Sequence, residues 1–273
     1  VLVCGSGGTV VALSASDGAE RWRADLNSEL LSAPVITPEV AVVRTVDGKL
    51  YALDNASGKT RWVTDQQVPR LTLRGTSRPV VSGELVYSGF DNGRLMAVTL
   101  GGGTTAWDVA IGQPRGSSEL QRLIDVDSPA VIDGDDIFAV AFQGHAMRLA
   151  RDTGREVWSH EISSYRGLAA DSLGVYVSTA EGDVVRLDRA SGAERWRQKG
   201  LERRLLTAPV LQGNYVIVAD YKGIMHWLSM DDGSFVARSN GGSRISSAPQ
   251  VAGALVVVQT DKGAIEAWRA PVK

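Results

Sequence analysis

The sequence predicts an all-β protein, a β-propeller built from four-stranded antiparallel blades. Three observations carry that prediction. Glycines recur with spacings of 40, 45, 51, 38, 41 and 40 (Gly8, Gly48, Gly93, Gly144, Gly182, Gly223, Gly263). A second glycine follows ten residues after each of the first six (Gly18, Gly58, Gly103, Gly154, Gly192, Gly233). Four residues beyond the second glycine stand Trp22, Trp62, Trp107, Trp158 and Trp196, with Ala237 in the sixth copy. A period of ~40–45 residues holding four short strands is the signature of a propeller blade.

Each element of the unit has its own justification. We label the strands A to D in chain order. Strand A follows a proline, in Ser32-Ala33-Pro34, Ser77-Arg78-Pro79, Asp127-Ser128-Pro129, Thr207-Ala208-Pro209 and Ser247-Ala248-Pro249. Proline fits the first residue of a strand, where its missing N–H costs least. The copy between Trp158 and Gly182 lacks this mark. Strands B and C flank the first glycine, which is expected to supply the positive φ of a tight hairpin. They are rich in Val and Leu, as in Leu50-Tyr51-Ala52-Leu53. Strand D carries the tryptophan, whose fixed place in each unit points to packing between neighbouring units.

Counted this way, the chain starts in strand B of one blade, runs through five full blades and stops after strand C of another, giving 26 strands in one domain, 1–273. A closed ring of seven or eight blades needs more, so N-terminal strands are expected to be absent from this chain. Periodicity alone does not choose the blade number.

Composition narrows the function. The chain has 273 residues, with 29 Lys+Arg against 31 Asp+Glu, so it offers no electrostatic footprint for nucleic acid. Its one cysteine, Cys4, excludes an intramolecular disulfide and a thiolate zinc cluster. Cys4 falls in strand B of its repeat and reads as a strand residue. No stretch of ~18 apolar residues is present, nor a charged start followed by an apolar run. His145, His160 and His226 lie in three parts of the repeat without ligand spacing, no nucleophile elbow or phosphate loop occurs, and no metal or cofactor is expected. Asp133, Asp135 and Asp136 fill an A–B connection and read as a solvated turn rather than a calcium loop.

The repeat is broken in two consecutive places. The distance from tryptophan to the next proline is 12 or 13 residues in three connections but 17 from Trp62 to Pro79 and 22 from Trp107 to Pro129. Consecutive blades adjoin, so the two enlarged D–A loops are expected to touch on one rim, and a departure from a repeat on a rigid scaffold marks the functional surface. In the first loop Leu71 and Leu73 share one side of an extended segment. In the second, Ser118 with Gln121 matches a capping box, and Leu120, Leu123 and Ile124 share a helical face leading into Asp125 and Asp127. Arg74 is then expected near both carboxylates, either pinning the loops together or completing a protein-docking site of Leu, Arg and Asp.

Leu71-Thr72-Leu73-Arg74-Gly75 followed by Glu119-Leu120-Gln121-Arg122-Leu123-Ile124-Asp125-Val126-Asp127 resembles the BamB family, propeller lipoproteins of the outer-membrane β-barrel assembly machinery. The resemblance covers the whole chain. The tryptophan repeat alone is shared with quinoprotein dehydrogenases; the paired insertions are the specific part. The resemblance implies an eight-bladed ring, six strands short here or roughly 100 residues, and an N-terminal lipid anchor at the periplasmic face of the outer membrane. It implies a non-enzymatic scaffold whose Leu71, Leu73, Arg74, Asp125 and Asp127 bind the periplasmic POTRA domains of BamA, with nascent outer-membrane proteins as a further partner. The alternatives are a quinoprotein-like enzyme, which the single cysteine opposes because that family uses a vicinal disulfide, and a periplasmic propeller holding a small ligand in its channel.

Overall fold

The computed structural model describes residues 1–69, 71–73 and 75–270. Among them are 26 strands and no helix, arranged as seven antiparallel sheets. Sheet 1 has three strands (Leu2–Cys4, Thr9–Leu13 and Glu20–Asp25), and sheet 7 also has three (Gln250–Ala252, Leu255–Gln259 and Ile265–Arg269). Between them lie five four-stranded sheets, spanning 35–65, 80–110, 131–161, 168–198 and 210–240. Each is a meander in which A pairs B, B pairs C and C pairs D. The A strands of sheets 4 to 7 are neighbours in space, so they form the inner edge of the array.

The core lies between sheets. Strand Val40–Arg44 is buried along its whole length, which requires cover on both faces. Val42 and Leu50 of sheet 2 pack with Val86, Met96 and Val98 of sheet 3. Val140 of sheet 4 meets Val175 and Leu187 of sheet 5 in the same way.

The tryptophans are the joints. In the five tryptophans of the repeat the indole N–H donates to a carbonyl of the next sheet's C–D turn: Trp22 to Asn55 at 2.8 Å, Trp62 to Leu100 at 2.8 Å, Trp107 to Arg151 at 3.0 Å, Trp158 to Arg189 at 2.8 Å and Trp196 to Met230 at 2.9 Å. The five rings lie against Gly58, Gly103, Gly154, Gly192 and Gly233, where a Cβ would collide with the indole. The second-turn glycine therefore serves twice: it takes a φ between 68° and 73° at these five positions, and it leaves room for the neighbour's ring.

The first-turn glycines behave as expected in six sheets. In sheet 4 the left-handed residue is Gln143 (φ 51°), not Gly144. Gly144 is required there by close approach, because a Cβ would strike Ala141 and the backbone of Gly112. Strand A of sheet 5 forms without its proline. Ser164 Oγ accepts the amides of Arg166 and Gly167 at 3.1 Å each and donates to the Ser178 carbonyl at 2.6 Å, fixing the entry to Leu168–Ala170. The acidic A–B turn of sheet 4 is pinned rather than merely solvated. Asp136 pairs with Arg148 at 2.8 Å and Arg189 at 2.9 Å, Arg189 also holds Asp133, and its guanidinium lies over Phe138.

Candidate docking face

The D–A connections and the B–C turns lie on one face, tied by backbone hydrogen bonds. The Val46 amide donates to the Glu29 carbonyl at 3.0 Å, Phe142 to Asp125 at 2.7 Å, Tyr221 to Arg204 at 3.1 Å and Asp261 to Arg244 at 2.8 Å. Each connection thus rests on the turn of the following sheet. The two enlarged connections, residues 66–79 and 111–130, stand side by side on this face.

The first loop is anchored at both ends. Gln66 donates to Asp108 and Asn92 to the Gln67 carbonyl, both at 2.9 Å, while Ser77 Oγ donates to the Ser128 carbonyl at 3.0 Å. Between these anchors Leu71 is 44% and Leu73 36% exposed. Arg74 lies outside the described residues. The second loop makes the expected capping box: Gln121 N donates to Ser118 Oγ at 3.2 Å, and Gln121 Oε1 accepts the Ser118 amide at 3.3 Å. One turn forms, closed by the Arg122 amide on the Ser118 carbonyl at 3.1 Å, and no helix develops from it. The expected shared apolar face is accordingly split. Leu123 and Ile124 are buried, whereas Leu120 is 69% exposed. Ile124 sits against Gly93 and Gly112, positions where a side chain would displace it.

The loops meet at the carboxylates. Gly75 of the first loop abuts the Asp127 carboxyl so closely that no Cβ fits. Asp125 is 0% exposed, beneath the surface rather than on it. Below them Arg44 and Asp91 form a buried ion pair at 2.6 Å. Burial, followed by the charges of Asp127 and Asp91, pushes the Asp125 carboxyl well above the ordinary carboxylate range, against the opposing pull of Arg44. Asp127 is raised for the same reasons of burial and Asp91. Repeat analysis finds these residues but not their depth, because carboxylates next to a capping box read as surface groups.

Two recesses flank the loop pair. One of about 710 Å³ lies between the loops, lined in part by Val68, Pro69, Pro114 and Ile124. The other, about 550 Å³, lies beside Leu31, Leu73, Phe142 and Tyr165. The arrangement is an apolar relief with an acidic buried base, which suits protein contact better than chemistry on a small molecule.

A family model described as outer membrane protein assembly factor BamB matches residues 1–198 and 180–270. The chain belongs to the BamB family. It is 35% identical to BamB of Yersinia pestis over 261 residues, covering 95% of this chain and 66% of that protein. It is 38% identical to BamB of Xanthomonas campestris over 264 residues, covering 96% and 65%. It therefore spans somewhat under two thirds of these relatives' length. The crystal structure of BamB from Moraxella catarrhalis superposes with a TM-score of 0.94 at 29% identity, over 98% of this chain and 81% of that one. A computationally designed protein, Ika8, matches with a TM-score of 0.74 at 17% identity, a likeness of fold alone.

Within this BamB-family fold the other candidates fall apart in space or into the framework. His145 borders a polar groove beside the second insertion, and His226 is buried in sheet 6. Among the described residues no three His, Cys, Asp or Glu side chains are grouped as a metal would require. Cys4 is half-buried in the first strand, and that burial raises its thiol.

Proposed function

We propose that this chain is a non-enzymatic scaffold of outer-membrane protein assembly that docks a partner on the two insertion loops. The partner is assigned as the periplasmic POTRA domains of BamA, with the protein at the periplasmic face of the outer membrane and lipid-anchored through an N-terminal segment. The names of its relatives support the process. The observation that carries the docking site is the pair of exposed leucines, Leu71 and Leu73, raised over the junction where Gly75 meets Asp127.

In this reading Leu71, Leu73 and Arg74 reach the partner, while Asp127 and the buried Asp125 hold their loops in the shape that presents them. Leu71→Asp with Leu73→Asp should abolish pull-down of BamA periplasmic domains, since placing charges at an apolar contact costs about 2–4 kcal/mol or more. Circular dichroism should stay unchanged, because both side chains are exposed. Arg74→Glu should weaken binding as well. Undiminished capture by the double variant would place docking on another face.

A further inference from the structure

The repeat supplies its own control, and sheet 6 departs from it at buried positions. Three residues before the first-turn glycine stand Gly5, Thr45, Phe90, Ala141, Thr179, Asp220 and Thr260. Three residues after it stand Val11, Tyr51, Met96, Met147, Val185, His226 and Glu266. Only the sixth copy places an acid and a histidine at these two sites, and there they meet: His226 Nε2 lies 3.0 Å from Asp220 Oδ2. Asp220 is fully buried and His226 is 1% exposed. Arg204, from the connection between sheets 5 and 6, reaches the same carboxylate oxygen at 2.7 Å.

Burial alone would raise the Asp220 carboxyl, but the hydrogen bonds from His226, the Ile224 amide and Arg204 outweigh it and hold it at about 2. A buried ion pair and imidazole stand here where five of the other six sheets place uncharged groups at both positions, and burying charge is costly unless it is paired.

The cluster opens on a recess of about 270 Å³ lined by Arg204, Ile224, His226, Arg238, Ser239 and Asn240. Arg238 stands directly across from His226 in the strand register. Its guanidinium lies over the Phe235 ring at 4.0 Å, and among the described residues it has no carboxylate partner. His226 Nδ1 is buried without a hydrogen-bond partner. The recess therefore sets two guanidiniums and an imidazole against one carboxylate, which Arg204 already neutralises. The imidazole gives its Nε2 hydrogen to Asp220 and orients that carboxylate, while the guanidinium donors come from two directions, Arg204 on the loop and Arg238 on strand D. Two guanidiniums on separate elements suit a tetrahedral oxyanion, whose acceptors point several ways, better than a planar carboxylate.

We propose that this recess between sheets 5 and 6 is an oxyanion site of phosphate chemistry, accepting free phosphate or the phosphate of a lipid headgroup. The site is independent of the docking loops, which lie between other sheets, so either assignment can fail without the other. Arg238 is the residue on which it turns, since its guanidinium is exposed at the recess on an outer strand, where replacement leaves the core intact.

The test uses the whole chain in calorimetric titration with inorganic phosphate against chloride at matched ionic strength, together with flotation on phosphatidylglycerol and phosphatidylcholine vesicles. Saturable phosphate binding below about 10 mM, weakened about tenfold or more by Arg238→Ala, is the expected result. Phosphatidylglycerol flotation that free phosphate competes away, and that Arg238→Ala loses, would identify the headgroup as the source; titration without flotation would identify the free ion. His226→Gln should weaken binding in the same sense where it folds, and Arg238→Ala carries the test where it does not. Absence of both signals, or binding that Arg238→Ala leaves unchanged, overturns the assignment.

Discussion

Asp125 keeps a carboxyl where water does not reach, within the electrostatic influence of Asp127, Asp91 and Arg44. Because its affinity for protons is raised on folding, the folded state binds more protons than the unfolded state above the unfolded value near ~4. The stability it contributes is therefore complete below that value and declines as pH rises toward the raised one. The wild-type melting temperature should fall between pH 5 and pH 8. Asp125→Asn keeps the shape and removes the titration, so its melting curve should be flatter with pH and higher at pH 8. A relief of about 2 kcal/mol corresponds to roughly 4–8 °C at this size. An unchanged pH slope in the variant would show that other groups set it. Leu71 and Leu73 were legible in the sequence because alternation needs no tertiary information. The depth of Asp125 was not, because it depends on how far the neighbouring Val126 and Ile124 are drawn under Phe90 and Gly93.

At the scale of the element, the tryptophan–glycine joint decides both geometry and strength. The glycine spacings predicted 26 strands, and 26 are present among the described residues, because a hairpin turn needs positive φ wherever it occurs. What the spacing could not supply was the exception at Gln143 and Gly144. There the demand comes from close approach, by Ala141 of the same turn and by the Ile111–Gly112 backbone of the preceding connection, rather than from φ. Leu120 is the same lesson in reverse: its helical phase was legible, but the turn stops before a helical face exists. The joint can be tested at Gly154, whose φ of 68° and contact with the Trp107 ring both oppose a side chain. Gly154→Ala should destabilise by about 2–4 kcal/mol, adding left-handed strain to overpacking. Trp107→Phe keeps much of the apolar area but loses the bond to the Arg151 carbonyl, and should cost about 1–3 kcal/mol. Equilibrium urea unfolding measures both, and a neutral Gly154→Ala would mean that the ring moves aside freely.

Across the whole molecule, the apolar clusters among the described residues each join consecutive sheets in chain order. Stability should then be a sum of sheet and interface contributions, with local damage staying local. Arg189 gives a place to cut. It lies in the C–D turn of sheet 5, yet it holds Asp133 and Asp136 of sheet 4, lies over Phe138 and offers its carbonyl to Trp158. Arg189→Ala removes the side-chain clasp while leaving that carbonyl in place. Hydrogen exchange read by mass spectrometry should show protection falling in residues 131–198 and unchanged in residues 35–65, two interfaces away. The docking face would respond only in part, because the second insertion leans on sheet 4 through the Asp125–Phe142 bridge while the first is fixed to sheet 3 through Asp108 and Asn92. Uniform loss of protection over all seven sheets would instead mean that the array unfolds as one cooperative unit, and that the insertion loops are held by the whole molecule rather than by the sheets beneath them.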